Sequence, residues 1–240
     1  MKKQLSFITL LIFLLTVATA YTSGQETDYS KVFGENWKKA VAFEEQNRQW
    51  LKPLIENFNI SYPQAVSIVF PELIRYSALQ DKMETGILKT LYVNLGRDYS
   101  DFSIGVFQMK PSFAELILDK VKDVAENLPG IDYQVKSNFD DIIDFRKSIV
   151  QDLERPESEA KFLIAFIKIC NKDFNTGAMD DTTAVRFLSA AYNYGIEKPA
   201  DEIKRMSGKK YFSVSVLGGE KYCYSDISLY CYRKMLAQKP

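Results

Sequence analysis

The chain has 240 residues, with 31 basic and 31 acidic side chains and no histidine. A formal charge of zero gives no global electrostatic reason to expect a nucleic-acid partner. The lack of histidine excludes histidine-based catalytic triads and histidine-ligated zinc, and three scattered cysteines do not make a zinc site.

The first twenty residues have the pattern of a cleavable signal peptide. Lys2 and Lys3 form a basic start, residues 5–17 are almost all apolar, and residues 18–20 fit a small-residue cleavage site. The apolar run is short for a membrane span, and no similar run follows it. We therefore predict a periplasmic or secreted protein with no integral membrane segment after cleavage.

The remainder of the chain is predicted to form one mainly α-helical domain. Residues 21–30 are polar and typical of a flexible leader. Residues 31–240 are enough for a single domain with a full core and an N-terminal helical extension. Apolar and aromatic residues recur at helical spacing over residues 34–57, which predicts one or two amphipathic helices.

A second helix start is indicated at Ser61, with Pro63 suited to the first turn and Gln64 able to close a capping box. Pro71 lies inside the helix that follows, so we expect a kink or a restart just before Glu72. Further helices are predicted over residues 111–126, 142–153, 157–173 and 225–236, and residues 86–96 are predicted to be helical or irregular.

Towards the C-terminus, Thr182 or Thr183 can cap a helix that ends near Tyr194, before Gly195. Residues 211–216 alternate like a short strand. Cys223 and Cys231 are close enough in sequence to form a disulfide, but they could also lie on one helix, where a bridge is disfavoured. Cys170 stands in an apolar run that is typical of a core helix.

Three short segments carry the residues best suited to chemistry. Glu72 follows Pro71 on a predicted helix. Residues 103–111, Ser-Ile-Gly-Val-Phe-Gln-Met-Lys-Pro, form a glycine-containing loop with an amide side chain, and residues 191–195 are Ala-Tyr-Asn-Tyr-Gly. A carboxyl group, such a loop and a Tyr-Asn pair can together form a sugar-cleaving site.

The order of these segments resembles the lysozyme-like fold of lytic transglycosylases and goose-type lysozymes. The family pattern is Glu-Ser, then Gly-Leu-Met-Gln with a proline a few residues later, then Ala-Tyr-Asn-Ala-Gly. The resemblance extends over residues 60–235, although only the three segments are specific. The chain departs from the pattern at Leu73, at Val106-Phe107 and at Tyr194.

The resemblance implies cleavage of the β-1,4 bond between MurNAc and GlcNAc in peptidoglycan, with Glu72 acting first as acid and then as base. In lytic transglycosylases the base step draws the sugar's own 6-hydroxyl onto C1 and leaves a 1,6-anhydro end. The acid step needs a carboxyl that is protonated near neutral pH, and apolar neighbours of Glu72 predict a pKa raised by desolvation. Glycan strands are the implied partner, without cofactor, metal or nucleic acid, and protein partners stay open.

Several residues are candidates to bind the substrate. Gly105 lets the backbone approach a sugar, and Gln108 offers it both a donor and an acceptor. The resemblance implies that Tyr192 donates to the Glu72 carboxyl and that Asn193 binds an N-acetyl group or the loop.

Two more candidates follow from position. Tyr76 lies one helical turn beyond Glu72 and is expected to line the same cleft. Ser103 is either a polar wall residue or a turn former. The simpler interpretation of each motif is structural: a surface glutamate, a plain turn and a tyrosine in a packed helix.

Asp101 leaves the mechanism open. Goose-type lysozymes place aspartates shortly before the Gly-Leu-Met-Gln segment to position a water, and Asp101 precedes Gly105 by four residues. A carboxyl about 6.5–9.5 Å from that of Glu72 would permit inverting hydrolysis, whereas a loop aspartate often just forms a local turn. The alternatives to a transglycosylase are therefore a hydrolase that uses Asp101 and a catalytically inactive peptidoglycan-binding or scaffolding protein, which Leu73 favours.

Overall fold

The computed structural model describes residues 27–79, 86–214 and 219–238. The predicted signal peptide, most of the predicted leader and the end of the predicted strand at residues 211–216 lie outside them. The chain divides into two units, Met1–Val32 and Phe33–Pro240. A helix begins at Tyr29, within the last two residues of the predicted leader.

The described residues are mainly α-helical with a short antiparallel β element near the C-terminus, which confirms the predicted fold class. The helices are α1 (Tyr29–Glu56), α2 (Tyr62–Leu79), α3 (Gly86–Leu95), α4 (Pro111–Lys120), α5 (Ile142–Leu153), α6 (Pro156–Phe174), α7 (Asp181–Tyr194), α8 (Ala200–Met206) and α9 (Tyr224–Ala237). The strands are β1 (Lys210–Phe212) and β2 (Tyr222–Cys223), paired with Lys210 opposite Cys223. Short 3-10 helices cover Val121–Asn127, Lys136–Asn138 and Thr176–Ala178.

The helix α2 runs through Pro71 as one element, so of the predicted kink or restart before Glu72 the restart is wrong, and the kink stays a prediction. Proline removes one backbone donor from a helix. The residues on both sides of Pro71 are buried, and packing of the turns on either side of it stabilises the helix despite the missing bond.

The helix α7 is capped by Asp180, and not by Thr182 or Thr183 as predicted. The Asp180 carboxylate accepts bonds from the Thr183 N–H over 3.0 Å and from its hydroxyl over 2.6 Å. A carboxylate at this end also interacts favourably with the helix dipole. The helix ends at Gly195, whose φ of 134° no other residue adopts easily.

Three helices form the part of the core that carries the candidate site. The helices α2, α7 and α9 pack against one another. The buried Tyr224 hydroxyl on α9 donates to the Ile68 carbonyl of α2 over 3.0 Å, and the Ser189 hydroxyl on α7 donates to Ser225 over 3.0 Å. These bonds fix the axial positions of the three helices relative to one another.

The helix α6 connects this group to the rest of the domain. It contacts α2 and α7 on one side and α4 and α5 on the other. Its residues 162–167 are all buried, which explains the continuous apolar run in the sequence. Its first turn lies behind the loop at residues 104–109, so α6 can support that loop from within the protein.

The loop at residues 104–109 is a tight backbone hairpin. Ile104 and Met109 exchange two backbone hydrogen bonds, of 2.8 and 3.0 Å. The Gln108 side chain donates to the Gly105 carbonyl over 2.8 Å, and both residues have positive φ, 52° and 71°. A Cβ atom at Gly105 would overlap the carbonyl oxygen of Leu153 and the carboxyl group of Glu159.

The three cysteines, Cys170, Cys223 and Cys231, are buried free thiols. Cys223 precedes α9 and Cys231 lies within it, so the two are not bridged. Within the described residues, no helix combines the length and the apolar character needed to cross a bilayer.

Replacing Gly105 by alanine is expected to destabilise the domain far more than the same change at Gly130. Both glycines have positive φ, 71° and 78°, but Gly130 has open space around it. Backbone strain alone costs about 1–2 kcal/mol, and a buried overlap adds roughly 1–3 kcal/mol. Urea denaturation of the two variants measures the difference, and equal losses would contradict the close contact at Gly105.

Candidate active site

Glu72 lies in the buried middle of α2, and its carboxyl group meets two side chains. Only 3% of its surface is exposed. The Asn193 amide on α7 donates to Oε1 over 3.2 Å, and the Arg75 guanidinium lies 3.4 Å from Oε2. Because charge-assisted bonds usually span about 2.7–2.9 Å, the Arg75 contact is loose. The carboxyl is thus held in place without being strongly neutralised.

Burial raises the pKa of Glu72 from 4.5 to about 7, because a carboxylate removed from water is disfavoured. The charge of Arg75 lowers it, followed by the bond from Asn193 and the charge of Lys110. Desolvation therefore outweighs the neighbouring cations. At neutral pH the group is present in both its protonated and its ionised form, which suits an acid–base catalyst.

A cleft of about 460 Å³ reaches Asn193. Its lining comes from the segments before α4, from α4 itself, and from the end of α7 with the turn after it: Arg97, Asp101, Lys110, Ser112, Phe113, Leu116, Tyr192, Asn193, Tyr194, Gly195, Ile196 and Glu197. The lining contains two basic and two acidic residues, and Lys110 lies 3.6 Å from Asp101. The lining charges balance and more than half of the surface is apolar, which suits a neutral ligand with both apolar faces and polar groups.

Asn193 joins this cleft to the buried acid. Its side chain lines the cleft and donates to Glu72, which is itself not among the described residues of the lining. The sequence predicted that Asn193 binds an N-acetyl group or the loop. The structure instead places its amide on the carboxyl, where it donates to one oxygen of Glu72.

The predicted bond from Tyr192 to Glu72 is wrong. The Tyr192 hydroxyl donates to the Phe107 carbonyl over 2.7 Å. Its ring packs edge-on against Phe113 and Phe166, with centroids 5.3 and 5.5 Å away. Burial, and then the charges of two nearby glutamates, raise the pKa of Tyr192 well above its usual value. Tyr192 therefore acts as a neutral donor that holds the loop.

The substrate roles predicted for Gly105 and Gln108 do not match their positions. Gly105 approaches Glu159 and Leu153 in the interior, and Gln108 is buried and bonds to the Gly105 carbonyl. Both shape the loop. Among the described residues, neither lines the cleft, and the same holds for the half-buried Ser103 and Tyr76.

Asp101 lines the cleft but is engaged with the start of α4. Its Oδ1 accepts the Ser112 N–H over 3.0 Å and its Oδ2 accepts the Ser112 hydroxyl over 2.8 Å. Pro111 has no N–H, so Ser112 carries the first free backbone donor of the helix. Asp101 satisfies that donor from outside the helix.

Comparison of the chain with protein-family models, with curated proteins and with solved structures gave no match. The site therefore rests on its own geometry and on the three sequence motifs.

Two residues of the site did not emerge from the sequence. Arg75 lies three residues after Glu72 on the same helix, a spacing at which opposite charges meet, so the pairing could have been predicted. Glu159 could not. It follows Pro156 and Glu157 and has the pattern of an ordinary acidic residue in a first helical turn, yet its carboxylate points to the interior and binds the loop.

The Glu72→Gln variant is expected to gain stability relative to wild type as pH rises. The folded pKa of Glu72 is raised, to about 7 from 4.5, so ionisation above pH 4.5 costs stability in the wild type, and this cost is complete above pH 7. Glutamine stays neutral, and the gain reaches at most roughly 3 kcal/mol.

Urea unfolding of both proteins at several pH values between 4 and 8 measures this difference. The exposed Glu45→Gln variant serves as control, because its carboxyl is in water in both states. A stability difference between Glu72→Gln and wild type that does not change with pH would contradict the raised pKa.

Proposed function

We propose that the protein is an exported enzyme that cleaves peptidoglycan glycan strands, as a lytic transglycosylase with Glu72 as its single acid–base residue. The observation that supports this most is a buried glutamate whose pKa is raised to about 7, bonded to an asparagine that lines a cleft. The three motifs that resemble the lytic transglycosylases supply the substrate class.

In the proposed reaction, the Glu72 carboxyl first gives its proton to the glycosidic oxygen as the C1–O bond breaks. The carbonyl oxygen of the substrate's N-acetyl group bonds to C1 and carries the developing charge. The Glu72 carboxylate then takes the proton of the 6-hydroxyl while that oxygen attacks C1 and displaces the acetamido group. The products are a free 4-hydroxyl and a 1,6-anhydro end, and Glu72 regains its proton.

The contacts of Asp101 favour this single-carboxylate scheme over the hydrolytic alternative. Both of its carboxylate oxygens accept bonds from Ser112, and the Lys110 ammonium lies 3.6 Å away. Helix capping accounts for Asp101 without any role in the reaction.

A second candidate function is peptidoglycan binding without turnover. The proximity of the Arg75 guanidinium to Glu72 favours it, because a nearby cation stabilises the ionised form that cannot act as an acid. The absence of Glu72 from the described lining of the cleft also favours it. This candidate predicts retention on insoluble peptidoglycan with no clearing at any pH.

Purified wild-type protein is expected to clear a peptidoglycan suspension, with the rate falling about tenfold for each pH unit above 7. The fall follows from loss of the protonated Glu72, whose raised pKa is about 7. The Glu72→Gln variant should lose at least about a hundredfold in rate, while Glu45→Gln should retain it.

Turbidity recorded across pH 5 to 9 measures these rates, and mass spectrometry of the products distinguishes anhydro from reducing ends. Full activity of Glu72→Gln would exclude Glu72 as the acid. Retention of the protein on peptidoglycan without any clearing would leave the binding function.

The Asp101→Asn variant is expected to clear peptidoglycan at nearly the wild-type rate, because asparagine still caps the first turn of α4. If Asp101 positioned a water, the change would lower the rate by about a hundredfold or more and the wild-type products would carry reducing ends. The exposed Asp98→Asn variant is the matched control.

A further inference from the structure

A second buried glutamate supports the loop at residues 104–109. Glu159, in the first turn of α6, has 0% of its surface exposed. Its Oε2 accepts the Val106 N–H over 3.0 Å, and its Oε1 accepts the Phe107 N–H over 3.0 Å. Each carboxylate oxygen thus binds one backbone amide of the loop.

These two amides are the partners that offset the burial of Glu159. Burial raises the pKa of Glu159 well above its usual value, and the bonds from Phe107 and Val106 lower it. Among the described residues, these two bonds lower its pKa and no lysine or arginine does. A buried carboxyl without a cation is costly for stability. The packing of α6 does not by itself require a carboxyl group at this position.

The bonds continue from Glu159 to the candidate acid. The N–H of Phe107 is bound by Glu159, and its carbonyl accepts the Tyr192 hydroxyl over 2.7 Å. The next residue, Asn193, donates its amide to Glu72 over 3.2 Å. Phe107 is therefore held at both of its polar backbone groups, between α6 and the end of α7.

We propose that Glu159 is a positioning residue of this site: by holding the Val106 and Phe107 amides it places the loop that fixes Tyr192, and thereby the Asn193 amide on Glu72. The role rests on the proposed function for its effect on catalysis. The effect on the Glu72 carboxyl can be measured whether or not the protein cleaves peptidoglycan.

The carboxylate cannot be replaced by its amide in this position. Glutamine keeps one acceptor oxygen but directs an NH₂ group at the other backbone N–H. One loop amide then loses its partner and meets a second donor. The loop would shift, and the bond from Tyr192 to the Phe107 carbonyl would loosen with it.

The test compares Glu159→Gln with Glu157→Gln, which changes an exposed glutamate in the same helical turn. Carbon-13 NMR of the side-chain carboxyl follows the titration of Glu72 in wild type and in both variants. Because the Asn193 bond lowers the pKa of Glu72, loosening it in Glu159→Gln should raise that pKa. If Glu159 is ionised, loss of its negative charge would by itself lower the pKa of Glu72, so a rise separates positioning from simple electrostatics.

In the turbidity assay Glu159→Gln should lose about ten- to a hundredfold in kcat with little change in KM, and Glu157→Gln should match wild type. A Glu72 titration in Glu159→Gln that is unchanged or displaced downwards would overturn the proposal. If wild type does not clear peptidoglycan, the proposed function fails, and the titration still decides the role of Glu159.

If the Glu159→Gln variant does not fold, the Tyr192→Phe variant tests the proposal instead. This variant keeps Glu159 and removes only the hydroxyl that links the loop to the end of α7. Like Glu159→Gln, the Tyr192→Phe change should raise the pKa of Glu72. An unchanged titration in a folded Tyr192→Phe protein would also overturn the proposal.

Discussion

The packing of α2 against α7 is the constraint on which the site depends. It brings Asn193 to Glu72 across 121 residues of sequence, and it removes the carboxyl from water. Both effects act on the same proton, since burial favours the protonated form and the asparagine bond favours the ionised one. The site is therefore tuned by how closely two helices approach, and α9 fixes that approach through its bonds to both of them.

The two buried glutamates, Glu72 and Glu159, have the same side chain but different hydrogen-bond partners and different proposed roles. Glu159 gives both oxygens to backbone amides and is fully buried, so its carboxyl is not exposed to a ligand. Among the described residues, Glu72 instead meets two side-chain groups, an amide and a guanidinium. Side-chain partners can rearrange when a substrate arrives, whereas backbone amides within a hairpin cannot. Raised pKa values alone would not have separated these two roles, but their partners do.

Much of the fold was accessible from sequence, because apolar periodicity and helix-end residues are local signals. They located α5 and α9 to within about a residue or two and predicted the buried environment of Glu72. The partners of the site residues were not accessible. That Tyr192 bonds to Phe107, and that Gly105 faces Glu159, depend on how distant segments meet. The predicted restart at Pro71 in α2 was wrong for the same reason, since tertiary packing stabilised a helix that its local sequence would interrupt.

The three buried thiols can serve as probes of local opening of the folded chain. Burial raises the pKa of Cys170 and Cys231 well above the usual value, so neither thiol is reactive in the folded state. None of the three thiols forms a disulfide in the folded chain. Because Cys170 lies in α6 and Cys231 in α9, alkylating reagents reach them only when those helices open. The rate of labelling at Cys170 would report on the opening of α6, and the rate at Cys231 on the opening of α9.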